Sequence, residues 1–233
     1  MQTIPIIELS LVFIPTAFLL VIIFSWGLKG FVGLYANARM VLQLFLVGYL
    51  LTYIFNIEKP IIIVLVIILM VSVSAWIAIR SLEEKNLINY FIVYISIAFP
   101  GLIILGLVTQ LVLKMQTWYE PNFVVPIAGM IFANSMNTVS LAAERFEAEF
   151  KKEKNFIKAR QIAFDASLIT PINSLFAVGL VSLPGMMTGQ ILSGVDPIVA
   201  VRYQIMVMWM IFGSGGLASA LYLTLRFRAI KNK

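Results

Sequence analysis

Residues 168–197 read LITPINSLFAVGLVSLPGMMTGQILSGVDP, an apolar stretch long enough to cross a bilayer but interrupted by Pro184 and Gly185. A proline inside a helix removes one backbone donor, here the donor to the carbonyl of Leu180, and hydrocarbon supplies no water to replace it. Gly185 and Gly189 have the spacing that lets another backbone approach closely. A broken membrane helix is tolerated only beside protein or a wet cavity, so the stretch predicts a transport path rather than an anchor.

The whole chain has the composition of a polytopic membrane protein. Of its 233 residues, 61% are hydrophobic and 12% are charged, with a mean hydropathy of +0.98. Soluble domains are only about 45–50% apolar. Cysteine and histidine are both absent, which excludes disulfides, thiolate or imidazole metal sites, and catalysis by either group. The chain has no phosphate-binding loop, so any ATP that drives it binds to another polypeptide.

Apolar segments of about 20 residues, the length that crosses a bilayer, recur along the chain. They predict an all-α bundle of about seven transmembrane helices, which we interpret as one permease-like domain over residues 1–233. The predicted spans are Ile4–Trp26, Ala36–Phe55, Pro60–Ile79, Ile88–Leu113, Phe123–Ala143, Leu168–Leu192 and Ile198–Leu225.

Basic residues divide unequally between the loops that these spans imply. Of the 17 Lys and Arg residues, only Lys59, Lys114 and Arg202 fall on one side, and the other 14 fall on the opposite side. Because cytoplasmic loops gather Lys and Arg, we predict a multi-pass protein of the inner (plasma) membrane, with its N-terminus outside and its C-terminus in the cytoplasm. This topology explains the net charge of +6, and nucleic-acid binding is not needed.

The longest predicted cytoplasmic loop covers residues 144–166. It contains no Gly or Pro and is rich in helix-forming residues, so we predict that it is helical. Its aromatic side chains fall roughly on one face, which either packs on the membrane surface or docks into a groove on a cytoplasmic partner. For the second alternative, we predict that Arg145, Phe146, Phe150 and Lys151 contact the partner.

Polar side chains occur inside several predicted spans. Asn134 and Asn137 form an i,i+3 pair on one face of the fifth span, and Gln43 lies too deep in the second span to reach the cytoplasm. Because lipid cannot satisfy their hydrogen bonds, these side chains should face the interior, where they either join helices or line a path. The residues predicted for the path are Gln43, Asn134, Asn137, Asn173, Pro184, Gly185, Met186, Met187, Thr188 and Gln190.

Two acids lie near the predicted outer face. Glu8 and Asp196 are either interfacial residues or groups that attract a cationic cargo. The sulfur atoms of Met186 and Met187 could contact a soft cation, although methionine more often fills a packed core. We predict no resident cofactor, and the residues identify no metal site.

Three blocks of sequence resemble the FetB (YbbM) family of ABC-transporter permeases, which also includes plant aluminium-tolerance membrane proteins. The blocks are VLQLFLVGYLL at 41–51, VPIAGMIFANSMN at 125–137 and VGLVSLPGMMTGQILSGVDPIVAVRYQIMV at 178–207. The resemblance implies a permease homodimer with no enzymatic activity of its own, paired with separate cytoplasmic ATPases that bind ATP and Mg²⁺. Bacterial members are associated with iron export and plant members with a nucleotide sugar, so the resemblance leaves the cargo open.

Two other classes of function are less well supported by the residues. An ion-coupled secondary transporter usually needs a charged group within the membrane, and the centres of these spans contain none. An intramembrane enzyme would need an activated nucleophile. Ser214 lies among Gly213, Gly215 and Gly216, but the chain has no histidine to activate it.

Overall fold

The computed structural model describes residues 5–54 and 59–231, which form α-helices joined by short connections. The chain divides into two compact units, unit 1 within residues 1–57 and unit 2 within residues 58–233. The single domain inferred from the sequence stays a prediction, and the units are described in turn.

Unit 1 is a helical hairpin. Its helices are α1 (Ile6–Leu11), α2 (Phe13–Ser25) and α3 (Gly30–Ile54). The turn between α2 and α3 contains Gly27 at φ 69°, a backbone conformation that glycine adopts without strain. The rings and methyl groups of α2 pack closely on glycines of α3, since a Cβ atom at Gly30 would lie 2.7 Å from the ring of Phe24. Most apolar side chains of both helices are exposed, as expected for helices that face lipid.

Unit 2 is a bundle built around two long helices. Its helices are α4 (Pro60–Ala78), α5 (Leu87–Gly106), α6 (Pro121–Glu153), α7 (Phe156–Ala177), α8 (Gly185–Leu192) and α9 (Pro197–Lys231). A 3₁₀ turn, Ile79–Ser81, follows α4, and a wider π-helical segment, Leu107–Val112, follows α5. The central helix α6 packs against α4, α5, α7 and α9.

Small residues let α6 and α9 approach closely. The Thr138 hydroxyl of α6 donates a hydrogen bond of 3.0 Å to the carbonyl of Gly215 on α9. A Cβ atom at Gly215 would lie 3.0 Å from the Thr138 methyl group, so a larger residue would separate the helices. Gly215, next to Ser214, therefore serves helix packing, as small residues do in membrane bundles.

Six of the described helices are long and apolar enough to cross a membrane, which confirms an all-α polytopic membrane fold. They are Ile7–Ser25, Gly30–Ile54, Pro60–Ser81, Leu87–Val112, Pro121–Glu153 and Pro197–Ala229. The remaining predicted span, Leu168–Leu192, is not among them because it is divided between α7 and α8. The count of seven spans and their orientation stay predictions.

The interruption in the sixth predicted span is present, but it begins earlier than the sequence indicates. Helix α7 ends at Ala177, and the chain turns through Gly179 at φ 85°. Pro184 has φ −63° and ψ 146° directly before α8, so it precedes a new helix instead of breaking an existing one. Within the described chain no atom lies within 4 Å of a Cβ placed at Gly185 or Gly189, so the close approach predicted there is not found.

The predicted helix of residues 144–166 is divided in two. Helix α6 ends at Glu153, and Lys154 adopts the left-handed conformation at φ 50°. The Asn155 side chain then accepts a hydrogen bond of 3.2 Å from the backbone N–H of Lys158, which caps the start of α7. The result is a tight hairpin of α6 and α7, which we call the α6–α7 hairpin.

Candidate functional site

A cavity of about 280 Å³ lies between α6, α7 and α9, and we call it the polar cavity. Its polar lining consists of Asn134, Asn137 and Thr138 from α6 and Ser167, Thr170 and Ser174 from α7. The apolar part of the lining includes Met208, Ile211 and Phe212 of α9. The cavity therefore gathers side chains from three helices into one partly polar space.

Helical periodicity explains how these residues meet. Asn134, Asn137 and Leu141 of α6 recur at three- and four-residue intervals, and so do Ser167, Pro171 and Ser174 of α7. At 1.5 Å per residue, Asn134 lies about 20 Å from the start of α6, near the middle of its apolar section. The structure thus brings Asn134 and Asn137 to the wall of the same cavity, where Asn134 is half-buried and Asn137 is exposed, and their role in a path stays a prediction.

Hydrogen bonds within the helices use several of the donors around the polar cavity. Asn134 donates from Nδ2 to the carbonyl of Met130 at 2.8 Å, and its Oδ1 atom takes no part in that bond. The hydroxyl of Ser167 donates to the backbone carbonyl of Phe164 at 2.7 Å. The hydroxyl of Ser174 donates to the backbone carbonyl of Thr170 at 3.0 Å. The Ser167 and Ser174 hydroxyls therefore offer lone pairs to a cargo, whereas the amide of Asn137 can offer both an acceptor oxygen and N–H donors.

Pro171 adds a further acceptor to this wall. A proline has no N–H, so the carbonyl of Ser167, four residues earlier in α7, lacks its helical donor. Pro171 and Ser167 both line the polar cavity. The sequence reasoning concentrated on Pro184 and missed Pro171, although Thr170-Pro171 occurs within the same apolar stretch.

The other predicted path residues do not line the polar cavity. Asn173 is exposed on α7, next to the lining residue Ser174. Gln43 is exposed on α3 in unit 1, where its amide oxygen can accept from Arg39 Nε at 3.2 Å. The residues from Pro184 to Gln190 belong to α8 and its cap, and among them Met187 lines a second cavity described below. The roles assigned to these residues stay predictions.

The two acids of the predicted outer face have different local settings. Glu8 is exposed on α1. Asp196 accepts backbone hydrogen bonds from Ile198 at 2.8 Å and Val199 at 3.3 Å, so it caps the start of α9. Cation attraction by either residue stays a prediction. Within residues 5–54 and 59–231, no three Asp or Glu side chains come together as a metal site.

At the opposite end of unit 2 from Asp196, charged side chains join three helices, and we call this region the basic end. Arg226 of α9 donates to Asn89 Oδ1 of α5 at 2.6 Å and lies 3.5 Å from Glu147 of α6. The other oxygen of Glu147 accepts from the backbone N–H of Glu83 at 3.0 Å. The Arg226 and Glu147 side chains are only 13% and 14% exposed, so this network is largely removed from solvent.

The predicted partner-contact residues also lie at the basic end. Phe146 is 1% exposed and stacks on Phe150 at 5.5 Å between ring centroids, so its side chain is inside the bundle rather than on the surface. Arg145 and Lys151 are exposed, and they pair with Glu149 and Glu83 respectively. Phe150 and Lys151 line a cavity of about 540 Å³ beside Arg226. Contact with a partner stays a prediction for all four residues.

The fold and the polar cavity define a multi-pass, all-helical membrane protein with a partly polar space between its helices. The chain belongs to the family described as "Uncharacterised protein family (UPF0014)", which matches residues 6–230. This finding confirms the resemblance inferred from the three sequence blocks, and it agrees with the predicted multi-pass location in the inner membrane.

Three relatives illustrate the family. The chain is 34% identical to "UPF0014 membrane protein slr1647" of Synechocystis, over 76% of this chain and 74% of the relative. It is 33% identical to "Probable iron export permease protein FetB" of Escherichia coli, over 83% and 80% respectively. It is 31% identical to "Protein ALUMINUM SENSITIVE 3" of Arabidopsis thaliana, over 80% and 72%. No solved structure matches the chain.

Proposed function

We propose that this chain is the transmembrane permease subunit of an ABC transporter that exports iron or a related metal ion. In this proposal a separate cytoplasmic ATPase binds ATP and Mg²⁺, and the chain itself catalyses no reaction. The observation that carries the proposal is the polar cavity among the membrane helices, which is lined by neutral amide and hydroxyl groups. The name of the Escherichia coli relative, a probable iron export permease, supports the choice of cargo.

The lining of the polar cavity suits a cation in transit. Amide, hydroxyl and carbonyl oxygens are ligands for hydrated cations, and none of the groups that line the cavity is a carboxylate. A carboxylate cage would hold the ion tightly, whereas conduction requires binding strong enough to admit the ion and weak enough to release it. Neutral oxygens at Asn134, Asn137 and Thr138 satisfy both requirements.

Continuous helices link the polar cavity to the proposed ATPase contact. Asn134 and Arg145 lie on the same helix, α6, about 16 Å apart along its axis. A force applied to the α6–α7 hairpin would therefore move the cavity walls without an intervening loop. We assign the hairpin to the ATPase contact, and two permeases with two ATPases would alternate access to the cavity between the membrane faces.

A polar organic cargo such as a nucleotide sugar fits this lining less well. A diphosphate requires positive charge, whereas no Lys or Arg lines the polar cavity. An ion-coupled mechanism is disfavoured by the same lining, because none of its side chains titrates near neutral pH.

The proposal is tested by purification and flux. The chain is purified from native membranes under mild conditions, and a nucleotide-binding ATPase is expected to accompany it. Inverted vesicles that contain both proteins should then take up ferrous iron when ATP is added, but not with ADP. Iron flux without ATP would favour the ion-coupled alternative. ATP-driven flux of a nucleotide sugar instead of iron would overturn the proposed cargo.

A further inference from the structure

A second cavity, of about 340 Å³, lies between the end of α7, α8 and the first turns of α9. Gln204 of α9 lines it and is only 4% exposed. The Gln204 Oε1 atom is buried and has no hydrogen-bond partner. An unpaired buried acceptor destabilises a fold, so this oxygen is available to a ligand that enters the cavity.

The chemistry around Gln204 is that of soft ligands. The thioether side chains of Met187 and Met208 line the cavity together with the indole of Trp209, and the other lining residues are aliphatic or glycine. Thioether sulfur favours soft and borderline metal ions over hard ions, which prefer oxygen alone. An aromatic face adds attraction for a cation. One amide oxygen and two thioether sulfurs therefore form a ligand set suited to a borderline or soft cation that has lost part of its hydration shell.

The second cavity follows directly on the polar cavity. Met208 lines both spaces, and on α7 Ser174 lines the first and Leu175 the second. Gln204 lies four residues before Met208 on α9, so the two side chains share a face of that helix. A cation leaving the polar cavity toward the start of α9 would pass Met208 and meet the unpaired oxygen of Gln204.

We propose that the second cavity is a binding station for a borderline or soft cation, with Gln204 Oε1 and the sulfur atoms of Met187 and Met208 as its ligands. Its place on a transport path rests on the proposed function, but cation binding does not require transport. The two stations would differ in chemistry: the first is lined by oxygen acceptors, and the second combines one oxygen with thioether sulfur.

The test is ferrous iron binding to the purified full-length chain in lipid nanodiscs without oxygen, measured by titration calorimetry. Gln204→Leu and Met208→Leu are each expected to weaken Fe²⁺ binding at least tenfold. Met206→Leu, on the same helix but outside the second cavity, should stay within twofold of the wild type. Unchanged Fe²⁺ affinity in Gln204→Leu, or equal affinity of the wild type for Mg²⁺ and Fe²⁺, would overturn the proposal.

Thermal unfolding separates ligand binding from a structural role of Gln204. Gln204→Leu removes an unpaired buried oxygen while keeping the volume, so without iron it should unfold at the wild-type temperature or higher. A lower unfolding temperature would show that the amide has a structural partner and would overturn the proposal. Fe²⁺ binding that depends on Gln204, with no ATP-driven flux in vesicles, would support this station and contradict only the proposed function.

Discussion

Arg226 of α9 and Asn89 of α5 are joined by a hydrogen bond of 2.6 Å although they lie 137 residues apart in the chain. The same guanidinium lies 3.5 Å from Glu147 of α6, so one side chain connects three helices at the basic end. Asn89 in turn donates from Nδ2 to the carbonyl of Glu84 at 2.7 Å, which attaches the connection between α4 and α5. The end of the bundle nearest the α6–α7 hairpin is therefore held by one shared network.

Replacement of Arg226 should destabilise the basic end. Arg226→Leu leaves Glu147 largely buried without its positive partner, and we expect a loss of about 1–3 kcal/mol in the free energy of unfolding. Thermal unfolding in detergent measures the change. The matched control is Arg228→Leu, because Arg228 is exposed on the same helix and should tolerate the substitution. An equal effect of the two substitutions would contradict a special role for Arg226, whereas partial recovery in Arg226→Leu/Glu147→Leu would support it.

The two asparagines of α6 should matter for transport more than for folding. Asn134→Leu/Asn137→Leu removes two amide groups from the polar cavity, and we expect ATP-driven iron uptake by inverted vesicles to fall at least tenfold. Asn122→Leu is the control, since Asn122 is exposed near the start of the same helix and away from the cavity. Protein amount in the vesicles is checked by immunoblot. Wild-type uptake by the double variant would rule out the polar cavity as the path.

Pro171 should contribute to iron uptake, because it leaves the carbonyl of Ser167 without a helical donor. In Pro171→Ala the new N–H can pair with the carbonyl of Ser167 and remove it from the cavity wall, so iron uptake should fall severalfold. Stability should be unchanged or higher, because an interior helix bond is restored. Pro126→Ala in α6 makes the same chemical change at an exposed position and should leave uptake unaltered. A drop of equal size in both variants would point to a general effect of proline on the helices.

Replacement of Lys154 by glycine should stabilise the left-handed turn at this position. A non-glycine residue at φ 50° costs about 1–2 kcal/mol, so Lys154→Gly should raise the free energy of unfolding by up to about 1 kcal/mol. Lys152→Gly, two residues earlier in the helical part, should lower it by about 0.5–1 kcal/mol, with a further small loss from its ion pair to Glu149. Thermal shifts of the same sign in the two variants would contradict the observed turn.

The sequence was sufficient where the fold depends on local periodicity. The apolar segment Phe123–Ala143 lies within α6, and the spacing of Asn134 and Asn137 placed both side chains in the wall of one cavity. Helical periodicity acts within one helix, so it can be read from a single sequence. The discontinuity between residues 168 and 192 was also predictable, because glycine and proline interrupt the apolar pattern there.

The remaining features depend on contacts that no local pattern encodes. The network of Arg226, Asn89 and Glu147 joins residues far apart in the chain, and the sequence indicated only the sign of their charges. The end of α7 at Ala177 and the turn at Lys154 follow from backbone conformations that side-chain propensities do not reveal. Phe146 was assigned to a partner contact from its helical face, but Phe156 of α7 packs on it, and Phe156 packs in turn on Phe227 of α9.

The uncharged lining of the polar cavity has a consequence for its response to pH. A wall of neutral amide and hydroxyl groups coordinates a cation through its oxygen atoms without carrying any charge of its own. Such a filter keeps its character from mildly acidic to mildly alkaline conditions, because the groups that form it neither gain nor lose a proton in that range. Any acid sensitivity of turnover would then originate where carboxylates meet lysines and arginines, at the far end of the same helices.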